Sequence, residues 1–207
     1  MDRRDFTKAL VAVSAAFIAG PPVWAWFSKP NIKLVGVGTA GCLAVKGLCD
    51  KLSGAPAFLA ISREASDLHQ VASHNRIFLQ PMEQVSSGTS CNDEELCTFT
   101  SRVFQSYENA IIKKLRAADM VVMMAGLGWI TGTMVAPATA GLCHRIKVPV
   151  AAVVTTPFPW EGARPCDNAA WGLRELGKQA DLVVDLPLGQ CLANAKNSLT
   201  VLEAYAL

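Results

Sequence analysis

The chain has 207 residues, enough for one domain with a tail. It is 51% hydrophobic and only 17% charged, which excludes a long disordered protein because apolar surface is plentiful. The net charge is +2 and the 19 Lys and Arg residues form no run, so nucleic-acid binding gains no support.

The first segment stands apart. Arg3-Arg4-Asp5-Phe6-Thr7-Lys8 leads into the uncharged stretch Ala9 to Gly20, then Pro21-Pro22 and Val23-Trp24-Ala25. That is a charged n-region, an apolar h-region and a small-x-small cleavage site. The apolar run is shorter than the about 20 residues a spanning helix needs. The R-R-x-F-x-K string resembles the twin-arginine export signal. The same residues also suit a plain N-terminal extension or a membrane-lying helix. Residues 1–30 are therefore set off as a signal-like or membrane-associated segment, with membrane contact through residues 1–25. Export or membrane association follows if the signal is real, and a cytoplasmic place if it is not.

From Asn31 on, short apolar runs alternate with helical patterns. Ile32 to Val37 predicts a strand ending in Gly36-Val37-Gly38. Cys42, Val45, Leu48, Cys49 and Leu52 then recur at spacings of three and four, predicting a helix. Phe58 to Ile61 is a second strand and Ile77 to Leu79 a third. Pro81 to Asp93 reads as a loop. Leu96, Phe99, Val103, Ala110, Ile111 and Leu115 share one face of a helix expected over about 93–118. Met120 to Ala125 and Val148 to Thr155 are further strands. A Gly/Thr-rich turn and a short helix, about 136–145, lie between them. A helix over about 168–179 leads to a strand at Leu182 to Leu186. This alternation predicts an α/β fold, a Rossmann-like, mainly parallel sheet with helices on both faces.

Cys42, Cys49, Cys91, Cys97, Cys143, Cys166 and Cys191 include no C-x-x-C pair. They read as small buried hydrophobes in a reduced chain, not as a disulfide framework. His69, His74 and His144 are too scattered to suggest a metal site.

Gly36-x-Gly38-x-x-Gly41 sits between a strand and a helix. Glycines there let the backbone turn sharply and approach phosphate, and the helix start supplies free N–H groups and a positive dipole end. A tight turn without a ligand fits the same residues. So does a nicotinamide-binding oxidoreductase, with Ser62-Arg63-Glu64 at the end of the second strand reading a 2′-phosphate. Against that class stands the lack of a Tyr-x-x-x-Lys set.

The second half decides. Ala118 to Pro137 reads ADMVVMMAGLGWITGTMVAP, a strand ending in Ala-Gly and then a Gly/Thr-rich turn. It resembles the signature loop of the tubulin/FtsZ superfamily, where Gly-Gly-Gly-Thr-Gly-Thr-Gly cradles phosphates. IKLVGVGTAGCLAVKGL resembles the family's first strand, phosphate loop and helix. FLAISREASDL, VPVAAVVTTPFPWEG, ADLVVDLP and NSLTVLEAYAL resemble later segments in the same order. The resemblance implies a GTP-binding domain over residues 31–207. Gly36, Gly38, Thr39, Ala40 and Gly41 fall on the first phosphate loop. Gly126, Gly128, Thr131, Gly132 and Thr133 fall on the signature loop. Glu161 falls on the ribose-holding acid, and Tyr205 on the aromatic stacked on guanine. GTP or GDP is the implied ligand, with Mg²⁺ as an accompanying ion and a full-length FtsZ-like relative as a further partner.

The departures matter. Trp129 and Ile130 replace glycines and Met134 replaces another. A β-branched residue at positive φ is strained by about 1–3 kcal/mol, so either the loop differs in shape or the phosphate sits farther off. Leu43 stands in place of a guanine-contacting Asn, and Leu188 in place of another polar residue. Pro165 replaces an Arg, with Arg164 beside it as a substitute charge. The sequence stops at Leu207, before the family's guanine-reading Asp and its water-activating acidic loop. No catalytic residue is therefore assigned. The expectation is weak guanine-nucleotide binding without an efficient self-stimulated GTPase cycle. The alternative is a non-catalytic interaction module with a decayed site, in which Trp129, Trp160 and Trp171 fill the former pocket.

Overall fold

Six apolar runs of the sequence become strands of one sheet. The computed structural model describes residues 30–51, 57–69, 71–72, 75–80 and 100–190. Contacts divide the chain into units 1–30 and 31–207, and the fold is that of the second. In chain order it runs β1 (Ile32–Val37), α1 (Gly38–Lys51), β2 (Phe58–Ser62), the short α2 (Ala65–Leu68), β3 (Arg76–Phe78), a π-helical turn (Thr100–Phe104), α3 (Gln105–Leu115), β4 (Met120–Gly126), α4 (Ile130–Arg145), β5 (Val150–Thr156), a 3₁₀ turn (Pro159–Glu161), α5 (Ala163–Gly177) and β6 (Leu182–Pro187). The strand order is β3-β2-β1-β4-β5-β6. Every pairing is parallel.

This order places a switch point between β1 and β4. From β1 the chain crosses through α1 toward β2, and from β4 it crosses through α4 the other way. Because such crossovers are right-handed, the two helices take opposite faces of the sheet. The crevice for a ligand lies where they part, at the carboxyl edge.

The pleat sorts the core. Leu59 and Ile61 join the main cluster with Val35, Val37, Val121, Met123, Ile111, Leu115 and Met134. Ala60, between them, faces a smaller cluster with Cys42, Leu68 and Val71. Each fully buried large aliphatic side chain contributes about 1.5–3 kcal/mol, so the main cluster dominates stability. Cover is incomplete at the β6 edge. Val183 packs against the main core, while Leu182, Val184 and Leu186 on the alternate face are exposed.

Several boundaries differ from the sequence expectation. The helix expected to end near Ala118 stops at Leu115, and the π-helical turn shifts its register. Phe104, Ile111 and Leu115 are buried, whereas Ala110 is exposed. The Gly/Thr-rich segment is not a turn before a short helix; it forms the opening turns of α4, which starts at Ile130. α5 likewise begins five residues early, at Ala163, with Pro165 in the first turn, where a missing N–H costs nothing. Cys42 and Cys143 are buried and Cys49 and Cys166 half-buried, all as free thiols. The expected loop at 81–93, Leu96, Phe99, Cys91, Cys97, Cys191 and the signal-like segment fall outside the described residues.

Candidate nucleotide site at the carboxyl edge

Sheet register brings the two glycine turns together. Val37 pairs with Ala125, and Gly126 pairs with Thr155. Beyond these residues α1 and α4 both begin. Gly38, at φ +70°, sits so close that a β-carbon there would lie 3.4 Å from Gly132 N and 3.5 Å from Thr131 Cβ. A side chain on Gly132 would run into Gly126 O. The two turns therefore frame one crevice.

The first N–H groups of a helix lack intrahelical partners and carry its positive dipole end. Here two such ends meet, and neither α1 nor α4 has an acidic residue in its first turn. That arrangement suits an anion with several oxygens, and phosphate above all.

The second turn avoids the strain expected of Trp129 and Ile130. Its positive φ falls on Gly128, at +110°. Trp129 is extended at φ −105°, ψ 157°, and Ile130 already opens the helix. The turn is held by side chains. Gly128 N donates to Thr133 Oγ1 at 2.8 Å, and Asn168 Nδ2 donates to Gly128 O at 3.2 Å. Thr133 is fully buried, so its hydroxyl serves the turn itself.

Glu161, which the resemblance assigns to the ribose, is engaged twice. Phe158 N donates to Glu161 Oε1 at 2.8 Å, and Trp129 Nε1 donates to Glu161 Oε2 at 3.3 Å. Trp160 stacks on buried Phe158 with ring centroids 4.3 Å apart. Trp129 and Trp160 are 53% and 67% exposed, so neither fills a pocket as the decayed-site alternative expected. Trp171 lies elsewhere, in a cavity of about 430 Å³ lined by α3, α4 and α5.

On the other side stands Asp67, which the sequence reading missed. Thr39 Oγ1 and Ser62 Oγ donate to Asp67 Oδ2 at 2.9 and 2.6 Å. Ser62 Oγ in turn accepts from Glu64 N at 3.1 Å. The clue available was an acid five residues beyond a strand's last residue; nothing in the spacing tied it to Thr39. Burial, and then the nearby Asp67 charge, push the Cys42 thiol up to about 12, so it is a neutral packing group beneath the loop.

The crevice thus gathers Gly36, Gly38, Thr39, Ala40 and Gly41 from the first turn, and Gly126, Gly128, Thr131, Gly132 and Thr133 from the second. Glu161 joins them through Trp129. Arg164 is exposed in the first turn of α5. Leu43 is 49% exposed and Leu188 is buried. Tyr205 lies outside the described residues. Among those residues no group of three or more His, Cys, Asp or Glu could cage a metal. Asp67 is a carboxylate hydrogen-bonded to Thr39 of the first turn.

The pattern of the Tubulin/FtsZ family, GTPase domain, matches residues 31–188. Cell division protein FtsZ 1 of Pyrococcus horikoshii is 33% identical over 160 residues, which are 77% of this chain and 42% of that protein. FtsZ 1 of Thermococcus kodakarensis is 32% identical over 169 residues, 82% of this chain and 44% of that protein. The matched stretch therefore spans under half of these curated relatives. Among solved structures, an empty FtsZ dimer of M. jannaschii has a TM-score of 0.73 at 23% identity, covering 99% of this chain and 55% of that one. The GDP-bound CetZ1 monomer of Haloferax volcanii has a TM-score of 0.69 at 20% identity, covering 84% and 55%. With the family pattern over most of the chain and this sheet order and crevice beneath it, the chain belongs to the Tubulin/FtsZ family and carries its GTPase domain.

Proposed function

We propose that the chain is an FtsZ-like protein that binds a guanine nucleotide weakly through its phosphates and lacks an efficient hydrolysis cycle of its own. The observation that carries this reading is the meeting of two helix N-termini at Gly38 and Gly132, with no acid in either first turn to occupy them. Guanine is the base to expect from family membership. Weakness follows from the site's own bonds. Thr133 is committed to Gly128, and Asp67 places a carboxylate beside the first phosphate loop. Mg²⁺, carried in with the nucleotide, offsets only part of that charge. The slow-hydrolysis part of the reading turns on the general base, which needs a carboxylate within hydrogen-bond reach of water; among the described residues, Asp67 and Glu161 of the crevice are each bonded to protein partners. A full-length relative is the partner to test for stimulation, and residues 1–25 are the segment to test for twin-arginine export or membrane association.

A second reading has one observation behind it. Trp129 and Trp160 expose two large aromatics beside the site, as a protein-docking surface would. Calorimetric titration of the full chain with GTP, GDP, ATP and NADPH in Mg²⁺ separates the readings. Heat from GTP and GDP alone supports the first. Silence with all four removes it and favours docking. A response to NADPH alone restores the oxidoreductase. Single-turnover GTP hydrolysis well above the uncatalysed rate, by this chain alone, would refute the absence of a cycle.

A further inference from the structure

The amino edge of the sheet, opposite the crevice, gathers cations. Lys113 and Lys114 lie in the last turn of α3, Arg116 follows it, and Lys147 stands in the turn between α4 and β5. Register sets these turns side by side, and Val121 N donates to Pro149 O at 2.8 Å. Lys113, Arg116 and Lys147 are exposed. Lys33, near the start of β1, donates from Nζ to Lys114 O at 2.6 Å. Burial, and then the Lys114 charge, lower the Lys33 ammonium below its ordinary value, so like charges are crowded here. The carboxylates beside them are Asp119 and Asp181, which accept from the backbone N–H groups of Asn31 and Val150 at 2.7 and 2.8 Å. Five cations against two acids leave this corner basic. Farther along the same edge, Arg145 and Lys178 are paired with Glu108 and Glu175, and Asp50 adjoins Lys51 at the end of α1. A helix C-terminus attracts cations through its dipole, which accounts for Lys113 and Lys114. Lys147 needs a further reason: its φ of 59° is a left-handed conformation that Gly or Asn adopts more readily.

The chain enters the domain at this same corner. Asn31 Nδ2 donates to Ala117 O at 2.7 Å, and Asp119 N donates to Asn31 O at 3.0 Å. These bonds tie the start of β1 to the α3–β4 turn that carries Arg116. The residues that precede it in the sequence include the uncharged run Ala9 to Gly20, so an apolar segment joins the fold where the cations stand.

We propose that the amino edge, through Lys113, Arg116 and Lys147, is a docking surface for an anionic phospholipid bilayer, with the crevice at the opposite edge left open to solvent. A short apolar segment alone holds a membrane marginally, and stable association takes a second signal such as a basic patch. Each Lys or Arg near an anionic surface adds to binding, and the attraction fades within about 10 Å at 0.1 M salt. A bilayer is favoured over nucleic acid because the apolar run joins the fold beside the cations. The inference extends the membrane reading of residues 1–25 and is independent of the nucleotide.

The test is co-sedimentation of the full chain with vesicles of phosphatidylcholine alone and of phosphatidylcholine mixed with phosphatidylglycerol. Binding to the mixed vesicles should be tighter by about tenfold or more. Lys113→Gln/Lys147→Gln should lose about tenfold on the mixed vesicles, and Lys46→Gln/Arg102→Gln, two exposed cations away from this corner, under about twofold. Equal binding to both kinds of vesicle overturns the docking surface while sparing the membrane reading of residues 1–25. Equal losses in the two double variants overturn it as well, since net charge alone would then be responsible. No binding to either vesicle removes both. Release from the mixed vesicles by duplex DNA of matched charge would assign the patch to nucleic acid, against the proposal. A second measurement needs no variant. Acetylation of the unmodified chain, read by mass spectrometry, should show Lys113 and Lys147 protected by mixed vesicles and Lys46 still labelled. Labelling of Lys113 and Lys147 that vesicles do not change, or protection of Lys46 equal to theirs, would overturn the proposal.

Discussion

Gly132 shows how little room the site leaves. Its backbone lies against Gly126 at the point where α4 departs from β4, and a methyl group there would meet a backbone oxygen, not a yielding side-chain tip. Overpacking of this kind costs about 1–3 kcal/mol, and here it also pushes the two turns apart. Gly132→Ala should lower the unfolding free energy measured in urea by about that much and abolish any GTP heat; an unchanged unfolding free energy would contradict the close approach. Trp129 and Ile130 carry the opposite lesson. They replace glycines of the family pattern without strain, because Gly128 alone takes the positive φ and the next residue is extended. The sequence pointed to these positions but could not say which residue would absorb the turn. That choice was made by contacts from Thr133, Asn168 and Pro157, distant in the chain or buried in the turn.

Among the elements, β1, β2, β4 and β6 were legible because continuous apolar runs between glycines or helical patterns leave little else to be. α4 was misread at its start. Its first turns are Ile-Thr-Gly-Thr, weak helix formers that read as a loop, and they are helical because they pack on the glycines of β4 and the turn before them. The β5–β6 pair shows how position alters chemistry. Burial raises the Asp185 carboxyl above its ordinary range, and the Thr156 hydroxyl, 3.3 Å away, only partly opposes this. The folded chain thus holds this proton more tightly than the unfolded chain does. Stability linked to Asp185 is fully present below the ordinary carboxyl range and is lost as pH rises through the raised value. Asp185→Asn should therefore melt above the unmodified chain at pH 7, with the gap closing near about pH 3. A gap that stays constant with pH would contradict the raised carboxyl.

For the whole molecule, sheet order matters most. With β1 and β4 adjacent and their helices on opposite faces, both glycine turns must open at one edge, whatever residues they carry. The same core sets thiol chemistry. Cys42 and Cys143 are buried and both pushed up to about 12, chiefly by desolvation. Brief alkylation of the native chain at pH 8, followed by mass spectrometry, should leave these two unmodified, and the same treatment in urea should label them. Labelling of Cys143 in the native state would show that the core opens at α4.

The amino-acid order alone determined the alternation of strand and helix, the family, and the two glycine turns, because these depend on local pattern and on spacing along the chain. Only the tertiary structure decided which carboxylates and hydroxyls of the crevice remain free. Glu161 meets Trp129 across 32 residues, and Thr39 meets Asp67 across 28. Such pairings form when separate crossovers return to the same edge of the sheet, and no local period in the sequence encodes that return.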